Sequence, residues 1–199
     1  MNKKIILFFL MIVPCMNVFS QAFFTAEKKT FNKDSVTSFS LQLPDGTGTH
    51  LPLLSKDLLV IAFLSPDCPI CKNYSVKLRQ LKNKYITRAD FIGIIPGSFD
   101  AKDVIEFQKK YLPSWKLFRD QSLHLTRYLD GTTTPEVLVI NIKSGTLIYK
   151  GAIDDWVVSL GKTRNHISNF YLDIALNNFL NNKPAIPFTQ PVGCLINDF

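Results

Sequence analysis

Two cysteines three positions apart, Cys68 and Cys71, enclose Pro69 and Ile70. They follow an apolar run, Leu58 to Leu64, after a break at Ser65-Pro66-Asp67. From Pro69 to about Thr87 the apolar residues Tyr74, Leu78, Leu81 and Tyr85 recur at helical spacing, so the pair sits where a strand gives way to a helix. Two thiols across the first helical turn lie on one side and can close a disulfide. The first is near the N-cap, where free N–H groups and the helix dipole favour an anion; its thiol is acidified and becomes the nucleophile. The second is deeper and resolves a mixed disulfide. Pro69 suits an early helical position, where its missing N–H is harmless. Asp67 works against the dipole, since a carboxylate beside Cys68 raises its pKa. A zinc site would need four ligands, and beyond the pair the chain offers Cys194 and three dispersed histidines, His50, His124 and His166. A purely structural disulfide at this spacing would be strained and would close too small a loop to stabilise much. Redox exchange with protein or small-molecule thiols and disulfides is the expected chemistry, with no metal and no bound cofactor.

A second signal is Thr134-Pro135, at the mouth of the apolar segment Glu136 to Asn141. A proline opening an internal strand has no N–H for the ladder, and a cis peptide bond is a reason to keep one there. That geometry would expose the Thr134 backbone beside the cysteines, where an extended substrate could pair as an added strand. Cys194 has two readings: a third redox thiol that meets Cys68 or Cys71 when the tail folds back, or a free or intermolecular cysteine. Asp154 and Asp155 could supply carboxylates near the site, or form a solvated turn before Trp156; the second is the expectation.

The elements that must position these groups follow from periodicity. Ser38 to Leu43 and His50 to Leu53 read as a hairpin about the turn Pro44-Asp45-Gly46-Thr47-Gly48. Leu58 to Leu64 and Phe91 to Ile95 are runs apolar enough for strands buried on both faces. Helices are expected over Pro69–Thr87, Asp100–Tyr111, Gln121–Tyr128 and Asn165–Asn181, the last with Ile167, Phe170, Tyr171, Ile174 and Phe179 inward. Further strands are Trp115–Phe118, Glu136–Asn141 and Thr146–Lys150, the last two joined at Lys143-Ser144-Gly145. This alternation implies an α/β sandwich whose mixed central sheet is flanked by helices, with the hairpin as an N-terminal extension.

The composition suits one globular domain: 199 residues, 46% apolar, 20% charged, sixteen Phe against nine Gly. The net charge of +7 is scattered, without the basic cluster that nucleic-acid binding needs. Residues 1–20 read as a secretory signal, with Lys3 and Lys4, then an apolar run from Ile5 to Val13, then Ser20 before the cut. The run is too short to span a bilayer, which takes about 20 residues. Lipidation at Cys15, the one route to a membrane tether, fits poorly with Pro14 before it. The expected layout is the leader 1–20, an irregular lead-in 21–37, one domain over 38–183 and a tail 184–199 carrying Cys194. Export, to the periplasm or the outer face of the envelope, places the thiols where disulfides persist.

A buried strand, CxxC at a helix start and Thr-Pro before a hairpin resemble the thioredoxin superfamily. Within it the chain looks most like the peroxiredoxin-like redoxins, grouped with alkyl hydroperoxide reductase and thiol-specific antioxidant proteins. The carrying residues are Ser65 to Ile70, Thr134 to Val137, Tyr149 to Asp155 and the tail Pro191 to Ile196. The resemblance implies a thioredoxin-like fold, Cys68 as attacking thiol, Pro135 as a cis-proline and Cys194 as a family-typical tail cysteine. The peroxidatic pattern is incomplete: Ile61 stands where those enzymes carry proline, although Ser65 suits their hydroxyl position and Arg119 or Arg127 could supply their guanidinium. Thioredoxins proper carry a buried Asp and a Trp where this chain has Ala62 and Asp67. The function expected is an exported thiol–disulfide oxidoreductase. A thiol peroxidase passing through sulfenic acid and a copper-binding assembly factor like the Sco family are the alternatives. The Sco-like reading meets CxxC where that family uses CxxxC, and has His124 as its candidate imidazole.

Overall fold

The computed structural model describes residues 30–31, 33–51 and 54–196. The expected leader, with Cys15, lies outside the described residues, as does most of the lead-in.

The long apolar run forms β3 (Leu58–Phe63), buried at every position. It is central because it has a partner on each side: β4 (Ala89–Pro96) pairs with it in parallel and β7 (Glu136–Asn141) antiparallel. Beyond β4 lies β5 (Lys116–Asp120), also parallel, and beyond β7 lies β8 (Thr146–Gly151), antiparallel. The hairpin β1 (Leu41–Gln42) and β2 (Gly48–Thr49) extends the β5 edge, completing a mixed seven-stranded sheet in the order β2-β1-β5-β4-β3-β7-β8.

Alternation along β3 assigns the two faces. Leu58, Val60, Ala62 and Leu64 point to one core, and Leu59, Ile61 and Phe63 to the other. The first core is covered by α2 (Pro69–Tyr85), α3 (Ala101–Tyr111) and α5 (Tyr171–Leu180), through residues such as Leu78, Leu81, Val104, Phe107, Leu172 and Leu176. The second is covered by Val36 of α1 (Lys33–Ser38) and by Leu125 of α4 (His124–Tyr128) with its neighbours Leu123 and Leu129. Both faces of the sheet are therefore layered with helices, as the strand–helix alternation implies.

Several local expectations are corrected. Residues 33–38 are helical rather than irregular up to 37 and extended from Ser38, Val36 is drawn into the core, and the second hairpin strand lies at Gly48–Thr49, taking in the end of the expected turn. The helix expected from Gln121 begins at His124, because Leu123 sits in a left-handed conformation (φ 59°) in a turn whose N–H bonds the Asp120 carbonyl. The helix expected from Asn165 begins at Tyr171. Asp155 accepts the Ser168 N–H at 2.9 Å and the Asn169 side-chain amide at 3.0 Å, which holds the preceding residues as a loop. The buried face of α5 accordingly shifts to Leu172, Ala175 and Leu176, leaving Ile174 partly exposed and Phe170 exposed. Finally, residues 157–163 form a small hairpin of β9 (Val157–Ser159) and β10 (Lys162–Thr163), which the sequence pattern did not suggest.

Because α2 carries both cysteines, its seat on the sheet sets their position. Leu78 is fully buried on its inner face, while Val76 is 51% exposed. Leu78→Ala is expected to destabilise the protein by about 2–5 kcal/mol through lost burial and the cavity left behind, whereas Val76→Ala stays within about 0.5 kcal/mol. Urea unfolding of the two variants measures both.

Candidate active site

The chain leaves β3 with the Leu64 N–H bonded to the Ile94 carbonyl at 2.9 Å, and turns at once. The Cys68 N–H closes that turn on the Ser65 carbonyl at 3.3 Å, and the Asp67 N–H donates to Ser65 Oγ at 3.3 Å. Cys68 is the N-cap of α2, extended at φ −81° and ψ 113°, with Pro69 following in the first turn. Cys71 lies within that turn, and its Sγ accepts the Ser65 N–H at 3.4 Å. Both sulfurs are out of solvent: Cys68 is 1% exposed and Cys71 fully buried.

Opposite them the chain passes through β6 (Thr133–Thr134) into β7 across a cis Thr134–Pro135 bond. The Cys68 thiol donates to the Thr134 carbonyl at 3.2 Å. The segment before the proline is braced from beneath by Glu136, 1% exposed, whose Oε2 accepts the Thr132 N–H at 2.9 Å. Its Oε1 faces Lys150 Nζ at 3.5 Å. Buried charges persist when paired and hydrogen-bonded, and Glu136 is both.

The tail folds onto the same place. β11 (Cys194–Leu195) pairs antiparallel with β6, Cys194 opposite Thr134 and Leu195 opposite Thr133. The ladder continues with the Ile196 N–H on the Thr132 carbonyl at 3.0 Å. The tail thus places Cys194 opposite Thr134, whose hydroxyl donates to the Cys194 carbonyl at 3.4 Å and whose own carbonyl receives the Cys68 thiol. A cavity of about 180 Å³ beside this junction is lined by Ser65, Pro96, Phe99, Thr134, Cys194 and Ile196, among others.

The three thiols have divided acidities. The Cys68 pKa falls to about 5, chiefly because the Cys71 thiol donates to its sulfur; burial opposes this, and the Cys194 thiol and the amides of both cysteines add to it. Cys71 is pushed well above the usual thiol range by burial first and by the neighbouring Cys68 second. Burial and Cys68 raise Cys194 to about 12. Asp67, exposed at the turn, is not among the principal influences on Cys68.

Other candidates lie elsewhere. Asp154 is not in a solvated turn. It is 2% exposed and accepts the Tyr74 hydroxyl at 2.5 Å and the Trp156 N–H at 3.0 Å, and Tyr74 and Trp156 meet edge to face at 5.3 Å. It ties α2 to the loop after β8. Arg119 is buried and donates to the Phe99 carbonyl, and Arg127 donates to the Ser122 carbonyl. Among the described residues no cluster of three or more His, Cys, Asp or Glu side chains has the geometry of a metal site. No described helix is long and apolar enough to cross a membrane. Glu136 and Gly193 fall within the runs that carry the resemblance, but the sequence pattern assigned neither a role of its own. A carboxylate directly after Pro135, and a glycine directly before Cys194, were the available signals.

A dithiol at a helix N-cap, facing a cis-proline strand on a mixed sheet layered by helices, defines a thioredoxin-like protein. The model of the Redoxin family matches residues 31–156, and the chain belongs to that family. Among solved structures, an uncharacterized conserved protein from Geobacillus kaustophilus superposes with a TM-score of 0.69 at 19% identity, covering 85% of this chain and 90% of its own. A hypothetical protein, SMc02350, from Sinorhizobium meliloti 1021 gives 0.67 at 20%, covering 79% and 89% respectively. A thiol-disulfide oxidoreductase from Bacteroides fragilis NCTC 9343 gives 0.51 at 16%, over 72% of this chain and 95% of its own. These likenesses are of fold. A search of curated proteins finds no significant match.

Two measurements check the acidities. Thiolate absorbance of the reduced protein should show one transition near pH 5, lost in Cys68→Ser, with the other two described thiols ionising far higher. The stability of the reduced protein should also track them. A group whose pKa is depressed by folding contributes stability that is complete above its unfolded value and lost as pH falls toward its folded value. Cys68 therefore makes stability rise from about pH 5 to the unfolded thiol value, roughly 8.5. Cys71 and Cys194, raised by folding, oppose it only above that value. Urea midpoints across this range, with Cys68→Ser as the flat reference below pH 8.5, give the comparison.

Proposed function

We propose that this Redoxin-family protein is an exported thiol–disulfide oxidoreductase. The observation that carries the reading is the Cys68 sulfur. It sits at a helix N-cap, acidified by Cys71 and aimed at the Thr134 carbonyl beside the cis-proline. The Cys68 thiolate attacks a substrate disulfide, a mixed disulfide forms, and one substrate thiolate leaves. Cys71 then gives up its proton and attacks the Cys68 sulfur, closing Cys68–Cys71 and expelling the second substrate thiol. Two electrons pass from the dithiol to the substrate, and an external thiol donor resets the pair.

Cys71 is suited to the second step. It is fully buried and stays protonated while Cys68 is free. Once Cys68 is tied up in a mixed disulfide, its thiolate no longer opposes Cys71 ionisation. The backbone of Thr133–Thr134 supports the reading that an extended substrate docks as an added strand, since this segment accepts an antiparallel partner. The layout proposed is a leader over 1–20, the domain over 38–183 and a tail carrying Cys194. The working compartment proposed is the periplasm or outer envelope. That a protein described as a thiol-disulfide oxidoreductase shares the fold supports this class of activity.

The test is the reduction potential of the pair in glutathione or dithiothreitol buffers, followed by mass. A value near about −270 mV marks an electron donor, and one near about −120 mV an oxidant. Failure to form the disulfide at any poise overturns the reading. Turnover of hydroperoxide by the purified protein would move it to a thiol peroxidase. Cys71→Ser should leave Cys68 held in a mixed disulfide with whichever thiol last attacked it, and Cys68→Ser should abolish exchange, both read by mass after acid quench.

A further inference from the structure

The tail is fitted to the site with some care. Thr189 anchors it: its N–H bonds the Lys150 carbonyl at 3.1 Å, and its hydroxyl takes the Ala152 N–H at 2.9 Å and meets the Tyr149 hydroxyl at 2.6 Å. The tail backbone comes so close there that a Cβ on Gly151 would lie 2.2 Å from the Thr189 carbonyl oxygen. A second close approach follows at Gly193, whose Cβ would lie 2.2 Å from the Thr134 carbonyl oxygen. Ile196, 9% exposed, then plugs into the second core. Between these fixed points Cys194 is held opposite Thr134, the residue whose carbonyl also receives the Cys68 thiol.

We infer that the C-terminal strand is a tethered substrate, and that Cys194 is a third redox thiol exchanging disulfide partners with Cys68. This rests on the dithiol reading above and adds to it. β11 occupies the backbone edge that an incoming peptide would use, in antiparallel register, with a cysteine paired opposite Thr134, the residue that receives the Cys68 thiol. Cys68 is 1% exposed, while Cys194 is half-buried. In the oxidised protein Cys194 loses its proton and attacks the Cys68 sulfur. The Cys68–Cys194 bond forms, the Cys68–Cys71 bond breaks, and the electron pair leaves on Cys71, which takes up a proton. One disulfide replaces another, so no outside oxidant or reductant enters the step. An external peptide must displace β11 to reach Cys68, so the tail competes with substrate for the same strand position.

The test uses the full chain. It is equilibrated in glutathione redox buffer, acid-quenched, blocked with N-ethylmaleimide and digested with trypsin. Cys68 and Cys71 share the peptide 57–72, and Cys194 lies on 165–199, so the two linkages separate by mass. A cross-link of these peptides in monomeric protein, mapped by fragmentation to Cys68, is expected in the natural sequence. It should become the dominant oxidised species in Cys71→Ser. Gly193→Val, which forces β11 away from Thr134, should reduce the cross-link about tenfold. If Cys68–Cys71 closes but no cross-link appears in either the natural sequence or Cys71→Ser, the tail proposal is overturned and the dithiol reading stands. A cross-link that persists in Cys68→Ser, or maps to Cys71, also overturns it. If neither linkage forms at any poise, the dithiol reading itself fails. Should Cys71→Ser not fold, as judged by circular dichroism, the natural sequence decides alone.

Discussion

One backbone oxygen organises this molecule: the carbonyl of Thr134. It receives the Cys68 thiol, and Gly193 approaches it more closely than any residue with a side chain could. Its position is set from three directions. The cis bond to Pro135 turns the chain, Glu136 holds the Thr132 amide from below, and the pairing of β7 with β3 fixes where the strand begins. A carbonyl carries no side-chain identity, so it can serve any partner that presents an N–H or S–H. That is the property a site needs if it is to meet varied disulfides while keeping its own geometry.

The acidity of Cys68 comes from company rather than from charge. No cationic side chain figures among the principal influences on it; the donors are thiols and amides. Helix N-termini favour anions through their free N–H groups, and here two further sulfurs add to that effect. The arrangement is reciprocal. Each proton that Cys71 or Cys194 keeps is a proton available to stabilise the Cys68 thiolate, so one easily ionised thiol requires two reluctant neighbours.

Much of this was legible in the chain itself. Leu58 to Leu64, the CPIC step and the helical spacing of Tyr74, Leu78, Leu81 and Tyr85 are local patterns, and each became the element it implied. Pro135 at the head of an apolar segment pointed to the cis bond for a local reason too. What escaped was non-local. The start of α5 is decided by Asp155 capturing amides more than a dozen residues ahead, which no periodicity within 165–181 records. The burial of Asp154 depends on Tyr74 reaching across from α2, 80 residues earlier. The placing of Cys194 opposite Thr134 depends on Thr189 seating against Gly151 and on Gly193 passing Thr134, two close contacts between segments far apart in sequence. Patterns within an element reveal its face and length; they do not reveal which loop will supply its hydrogen bonds.

The way the tail is held has a consequence for how the molecule opens. Its attachments are Thr189's hydrogen bonds, a two-residue ladder, buried Pro191 and Ile196, and the lighter contacts of Ile186 and Phe188, whereas β3 is sealed by helices on both faces and strands on both sides. Regions with few buried apolar contacts and short ladders detach at a free energy well below that of global unfolding. The amides of Thr189 and Ile196 therefore trade their protons with solvent through a subglobal opening, while those of β3 wait for the whole domain to come apart. The Thr133–Thr134 edge can thus be uncovered without loosening the core.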